Sequence, residues 1–276
     1  MIIYVGELFK MSKLSLEIKN CKGETLAESS NDDIVSLAYF CEYSDGDYIV
    51  LKCFDKNKHM VIQLDDAINP AYVYLTGNEF VFPIPFGEKK TAYSPKSFSG
   101  KAHLISARLA EKFEISAYKN LAKNEYDHHE NFYCYPHASA NVETRGEAVF
   151  AARNAIDGNT ENRGHGAWPY ESWGINRRDD AEIKISFGRP VDVDLMVIYI
   201  RADFPHDNWW EKVDFVFSDG SKITCNLVKT SAPQKISFEK KTVEWIIMKN
   251  MVKSNDPSPF PALTQWEIYG KEADFC

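Results

Sequence analysis

The chain has 276 residues, a formal charge of -8 and a pI near 5.5. That balance repels phosphate backbones unless a local basic patch outweighs it, and the short "EKK" runs at 88–90 and 239–241 are acid-flanked, which argues against a nucleic-acid partner. Hydrophobic residues make up 44% and charged residues 26%, an ordinary globular composition, and at roughly 150 residues per domain the length points to two domains.

No run approaches the roughly 18 apolar residues that span a bilayer, so no membrane partner is expected. The opening "MIIYVGELFKMSKLSLEIKN" lacks the basic region, long apolar stretch and cleavage site of a secretory signal, and Met11 is an alternative start before the first strand pattern. The expectation is a cytoplasmic protein, secreted only if a leader is missing from the chain. The six cysteines, Cys21, Cys41, Cys53, Cys134, Cys225 and Cys276, show no zinc or disulfide spacing and read as thiols. Aromatics, at 13%, suit pleated half-buried faces and stacking surfaces.

In chain order, Leu14, Leu16 and Ile18 alternate with polar neighbours, and "GDYIVLKCF", "HMVIQLD" and "YVYLTGNEFVFPIPF" follow as short strand-like runs. In "AHLISARLAEKFEISAYKNLA" the alternation of Phe113, Ile115 and Ala117 predicts a closing strand over the second half. This ends a first domain, residues 1–122, expected as a small β-sandwich.

Residues 123–136, "KNEYDHHENFYCYP", read as a linker. Asp127, His128, His129, Cys134 and His137 lack tight ligand spacing, and adjacent histidines in an extended chain point apart, so they are expected to solvate the linker rather than hold a metal.

The second domain spans 137–276. "EAVFAARNA" reads as a short helical turn, Ile183, Ile185 and Phe187 as a strand before the turn "GRPVDVD", and "LMVIYI" as a buried strand. Val213, Phe215 and Phe217 lead into "SDGS" and Ile223, Cys225 and Leu227 lead out, a hairpin signal. Ile236 with Phe238, then "VEWIIM", then "TQWEIYG" predict three more strands. The fold class is therefore all-β, two sandwiches in series.

The ordered landmarks "SANVETRGEAVFAARNAIDGNTENRGHGAWPYESWG", "DAEIKISFGRPVDVD", "VDFVFSDG" and "ALTQWEIYG" resemble the discoidin-like, galactose-binding-domain-like β-sandwich of many bacterial carbohydrate-binding modules. The resemblance covers roughly residues 137–271. Its specific parts are "NAIDG" at 154–158, "GRPV" at 188–191 and "EIYG" at 267–270. It implies a jelly-roll second domain with a structural calcium held by Asp157, Asn162 or Thr160, and Glu267. It also implies a sugar site on loops at one end of the sandwich, built from an aromatic platform and hydrogen-bonding side chains.

Two loops carry that mixture, which matches a pyranose because its C–H face packs on a ring while its hydroxyls need fixed donors and acceptors. One is "HGAWPYESWG", with His165, Trp168, Tyr170, Glu171 and Trp173. The other is "RADFPHDNWWEK", with Arg201, Asp203, His206, Asp207, Trp209 and Trp210. Trp173, Trp210, Trp245 and Trp266 border or lie within strands and are expected in the core, whereas Trp168 and Trp209 are expected as exposed platforms. Arg201 and Asp203 are also placed to form an internal ion pair. His59 and His103 are expected as structural or exposed.

The reading is a non-catalytic carbohydrate-binding protein of undetermined oligomeric state. The alternatives are a hydrolase or lyase using His165, His206 and loop carboxylates, including a metal-dependent one with Asp203 and Asp207, or a protein-interaction scaffold. No "GxSxG", "HExxH" or phosphate-binding glycine loop supports an enzyme.

Overall fold

The structure is a computed structural model that describes residues 13–204 and 208–273. The first eight strands are β1 (Lys13–Lys19), β2 (Thr25–Asp32), β3 (Ile34–Tyr39), β4 (Tyr48–Cys53), β5 (Lys58–Gln63), β6 (Ala71–Leu75), β7 (Glu79–Pro83) and β8 (His103–Leu109). Alternation in β1 puts Leu14, Leu16 and Ile18 on one face, and all three are buried. One sheet runs β2-β1-β4-β7 and the other contains β6-β5-β8-β3. Leu16, Leu51 and Phe82 of the first meet Leu37, Ile62 and Ile105 of the second in one core. The strand predicted over 113–117 is instead a short helix, Lys112–Ser116. Glu111 and Glu114 form a reciprocal capping box, and Glu114 takes a bidentate pair of bonds from Arg108 at 2.6 and 2.7 Å.

Residues 119–140 join both sheets systems rather than spanning open space. β9 (Lys119–Asn120) pairs with the last strand of the chain, β10 (Cys134–Tyr135) with β6, and β11 (His137–Ala140) with the first long strand of the second half. Tyr126 and Cys134 are buried in the first core, Leu121 and Ala122 in the second. The polar residues expected to solvate a linker are satisfied internally. Asp127 is fully buried and accepts from Ala138 N and Asn131 Nδ2 and pairs with His137 Nδ1, each at 2.8 Å. His128 and His129 turn to other partners, the Val81 carbonyl and the Glu143 carboxylate.

The second half contains β12 (Trp173–Gly174), β13 (Ile183–Ile200), β14 (Trp210–Phe217), β15 (Lys222–Asn226), β16 (Gln234–Lys253) and β17 (Ala262–Glu272). The two strands predicted on either side of "GRPVDVD" are one strand, β13, with register shifts, and those predicted around 236–248 are likewise one, β16. The Asp219-Gly220 hairpin joins β14 to β15, with Gly220 at φ +82.

The hydrogen-bonded order is β12-β17-β13-β16-β14-β15. Phe215 on β14 and Trp266 on β17 are separated by two strands, which in a flat sheet places them roughly 14 Å apart. Their ring centroids are 5.4 Å apart. The sheet therefore curls onto itself, and its inner faces share one core that includes Trp173, Trp210 and Trp266. Trp245 is only half-buried, under Lys184.

Glu272 at the end of β17 fixes the first sandwich to the second. Arg189 grips it bidentately at 2.6 Å, Tyr72 donates to it at 3.3 Å, and His59 and Lys119 lie within 3.8 Å. The cations hold the Glu272 carboxyl below its ordinary value against the effect of burial. Burial lowers the His59 imidazole to about 4, with Arg189 and Lys119 adding to that fall and Glu272 opposing it.

A neutral buried His59 binds protons less readily than an unfolded one, so its contribution to stability is complete above pH 6.5 and lost as pH falls toward 4. Urea titrations across that window should show a falling midpoint, with a flatter pH dependence in His59→Gln. An unchanged slope in the variant would contradict this placement.

Candidate functional site

Asn162 anchors the loop that follows "NAIDG" to the end of β13. Its buried amide donates to the Ile200 carbonyl at 2.8 Å and the Ser231 carbonyl at 3.0 Å, while its own carbonyl accepts from Ala202 N. This brings His165 of the first loop beside Asp203 of the second.

Asp203 is 3% exposed along its side chain and lies between Arg201 and His165. Arg201 Nε is 2.7 Å from Oδ1, and His165 Nδ1 contacts Oδ2. Arg201 is equally buried, and its other end donates to the Phe260 carbonyl at 2.5 Å. Burial draws its guanidinium below the ordinary value, and the Asp203 charge opposes that shift. The expected ion pair is therefore real, but it also orients a third group. His165 stays 41% exposed along its side chain, and because a carboxylate only accepts, its Nδ1 carries the proton.

A cavity of about 190 Å³ opens at this point, lined by His165, Arg201, Phe150, Phe260, Arg145 and Asn176 among others. Arg145 and Asn176 sit at φ +53 and +47, left-handed backbone that costs energy and concentrates at binding sites. Arg145 is clamped bidentately by Glu147 and lies 5.6 Å from the Phe150 ring centroid, while Arg177 lies 4.6 Å from that of Phe260. The rim thus joins ring surfaces to fixed polar groups.

Arg201, Asp203 and His165 are the sequence-expected residues that converge here. Trp168 and Tyr170 are exposed, but Trp168 borders a different cleft and neither lines this cavity. Trp209, expected as a platform, is half-buried and packs against the second core; its position immediately before β14 turns it inward alongside Trp210. His206 and Asp207 lie outside the described residues. Phe150, Asn176 and Phe260 were not singled out from the sequence. Their only local signals are a 3-10 turn and the breaker-rich "NDPSPFP".

The four residues implied for calcium do not fit that ion. Calcium takes six to eight oxygens around one point, and these side chains face separate partners. Asp157 lies 3.9 Å from Arg153 and beside Glu171, and burial pushes its carboxyl well up, against the pull of Arg153. Glu171 Oε2 is buried without a donor among the described residues, and the neighbouring Asp157 carboxyl supplies one when it holds a proton. Glu267 accepts from the Tyr269 hydroxyl at 3.2 Å, Thr160 is exposed, and the Asn162 amide is spent on β13 and the Ser231 carbonyl. A lysine ammonium supplies positive charge at this loop instead. Lys123 Cε would stand 2.5 Å from a β-carbon at Gly158, its ammonium pairs with Glu125 at 2.5 Å, and its charge is felt at Glu267.

Among the described residues, three metal-ligating side chains converge only at Asp65, Asp66 and His103 in the first sandwich. Both Asp65 oxygens there already accept backbone N–H groups, from Ala67 and Phe98. No described helix is long and apolar enough to cross a membrane.

No family model matches the chain, and no curated protein is similar to it. Among solved structures it is similar to chitosan-binding module 1 of a chitosanase/glucanase from Paenibacillus sp. IK-5, at 19% identity over 55% of this chain and 98% of that one, with a TM-score of 0.39. It is also similar to the lectin domain of lectinolysin complexed with Lewis B antigen, at 18% identity over 56% and 98% of the two chains, with a TM-score of 0.42. A third is the family 32 carbohydrate-binding module of C. perfringens NanJ in complex with galactose, at 17% identity over 55% and 99%, with a TM-score of 0.40.

Two outcomes follow from this geometry. Arg201→Met leaves Asp203 buried with one partner lost and should cost about 3–5 kcal/mol in urea unfolding, part of it recovered in the Arg201→Met/Asp203→Leu double variant. No recovery would mean that the pair is not the coupled unit described. The melting temperature should be the same in excess calcium and in chelator, whereas a rise of several degrees with calcium would contradict the misfit of Asp157 and Glu267.

Proposed function

We propose that the protein binds carbohydrate without transforming it, in the cavity bounded by His165, Phe150 and Asn176. The observation that carries this reading is the buried Arg201–Asp203 pair that fixes a half-exposed imidazole at the mouth of a small cavity walled by two phenylalanines. Rings take the C–H face of a pyranose, and a held imidazole with the Asn176 amide takes its hydroxyls at set angles. An ion pair that had only to stiffen a loop would have no need to position a third, exposed side chain.

The cavity suits one sugar ring rather than a protein epitope, since a protein partner needs a broad surface with a buried apolar centre. Its one histidine among the described residues lies on a carboxylate whose other oxygen is already taken by arginine. That arrangement orients the ring, and among the described residues that line the cavity there is no carboxylate to form a glycosidase pair.

The saccharides of the similar structures form the first panel: galactose, Lewis b and chitosan oligosaccharides. Calorimetry should show binding of at least one, weakened about tenfold or more by His165→Ala, which corresponds to roughly 1.4 kcal/mol. Asp203→Asn should weaken it similarly by releasing the imidazole. Release of a shortened product, or unaltered affinity in both variants, would overturn the reading.

A further inference from the structure

A second cleft, larger than the cavity at His165, lies elsewhere. It is a cleft of about 440 Å³ between the first sandwich, at residues 67–69 and 92–97, and the loops 157–159 and 168–171 of the second. It shares no lining residue with the cavity at His165. Its volume falls within the range of small-molecule sites.

We propose that this cleft is a second saccharide site, with Trp168 as its stacking platform and the Ser97 hydroxyl and Glu125 carboxylate as its hydrogen-bonding floor. The ligand class rests on the carbohydrate reading above; the site itself rests on three observations.

First, Trp168 is 42% exposed yet anchored, because its backbone N–H donates to the Thr91 carbonyl of the first sandwich at 2.9 Å. A large ring held in place at a cleft wall offers apolar area at little entropic cost. Opposite chain segments thus define the distance between platform and floor.

Second, three lining side chains are more than nine-tenths buried and carry polar atoms without a hydrogen-bond partner among the described residues: Glu171, whose Oε2 lies beside the Asp157 carboxyl, and two others. Ser97 is 0% exposed and its Oγ is unpartnered, and Glu125 is 5% exposed with Oε2 likewise unpartnered, although Oε1 meets Lys123. Buried polar atoms are nearly always satisfied, so these two point to a ligand that brings both donors and acceptors. A hydroxylated ring brings both on neighbouring carbons.

Third, the cleft mixes ionisable groups of both signs. Lys96 and Arg153 line it with Glu125, Asp157 and Glu171, and Lys123 pairs with Glu125 beside it, so groups of both signs meet there and no field of one sign is set up to select a phosphate or a cation. Arg153 is not a spare donor. It gives to the carbonyls of Asp127 and Glu125 and to Asn154, and stacks on Tyr93 at 4.4 Å, so it stiffens the floor.

The test is fluorine NMR of the full chain labelled with 5-fluorotryptophan, which has six reporters. Trp168→Phe assigns one resonance, and melting curves check that this exposed substitution leaves the fold intact. Galactose, Lewis b and chitosan trimer are then titrated into wild type and His165→Ala. The expected result is a saturable shift of the Trp168 resonance that persists in His165→Ala and is accompanied by a calorimetric stoichiometry near two in wild type. Binding that survives His165→Ala but is lost in Trp168→Ala and Ser97→Ala supports the cleft even if the first cavity proves inert. Binding wholly abolished by His165→Ala, with the Trp168 resonance unmoved, overturns the second site and leaves the first standing. A panel that binds nowhere overturns both.

Discussion

Residues 119–140 are hydrogen-bonded into both sheets systems, and that constraint fixes everything downstream. β9 closes on β17, β10 on β6 and β11 on β13, so the chain crosses between the two cores twice within about twenty residues. Arg153 reinforces the crossing from the second half by bonding the carbonyls of Glu125 and Asp127. Glu272 ties the other side of the contact to Tyr72. A cleft between the halves can keep a defined width only because neither half turns freely on the other.

The binding end depends on a second buried arrangement, nested within the first. Taking Asp203 and Arg201 out of water carries a desolvation cost that their attraction recovers only with good geometry and further hydrogen bonds. The Phe260 carbonyl and the His165 imidazole supply those bonds. The product is a rotamer held from below, and preorganisation of this kind raises affinity by lowering the ordering cost of binding. The same economy explains the left-handed backbone at Arg145 and Asn176, whose strain is held by the Glu147 clamp and by the bond from Asn176 N to Thr144 Oγ1.

Much of this was legible in the sequence. Alternation located β1, β4 to β7, β14 and β15, and the mixed loops pointed to His165, Arg201 and Asp203. The edge strand β2, "TLAESSND", is almost wholly exposed and so carries no apolar period to read. Residues 123–136 looked like a linker because Asn124, Asp127 and Asn131 are polar, but these side chains bury themselves by bonding backbone groups, which periodicity does not register. The Asp157 loop looked like a calcium site because its letters are right; that Lys123 lies against it depends on a contact between distant stretches of chain. Trp209 and Trp210 could not be sorted by adjacency alone, since the entry of β14 sets which way both rings turn.

The central claim is that the imidazole held by Asp203 meets a sugar. A structure of the full chain with a bound saccharide from the galactose, Lewis b and chitosan panel tests it most directly. The account predicts a pyranose in the cavity beside Phe150, with hydroxyl oxygens within hydrogen-bonding distance of His165 and Asn176. A saccharide bound with no contact to His165, or density showing the cavity closed over by Phe260 when ligand is bound elsewhere, would contradict it.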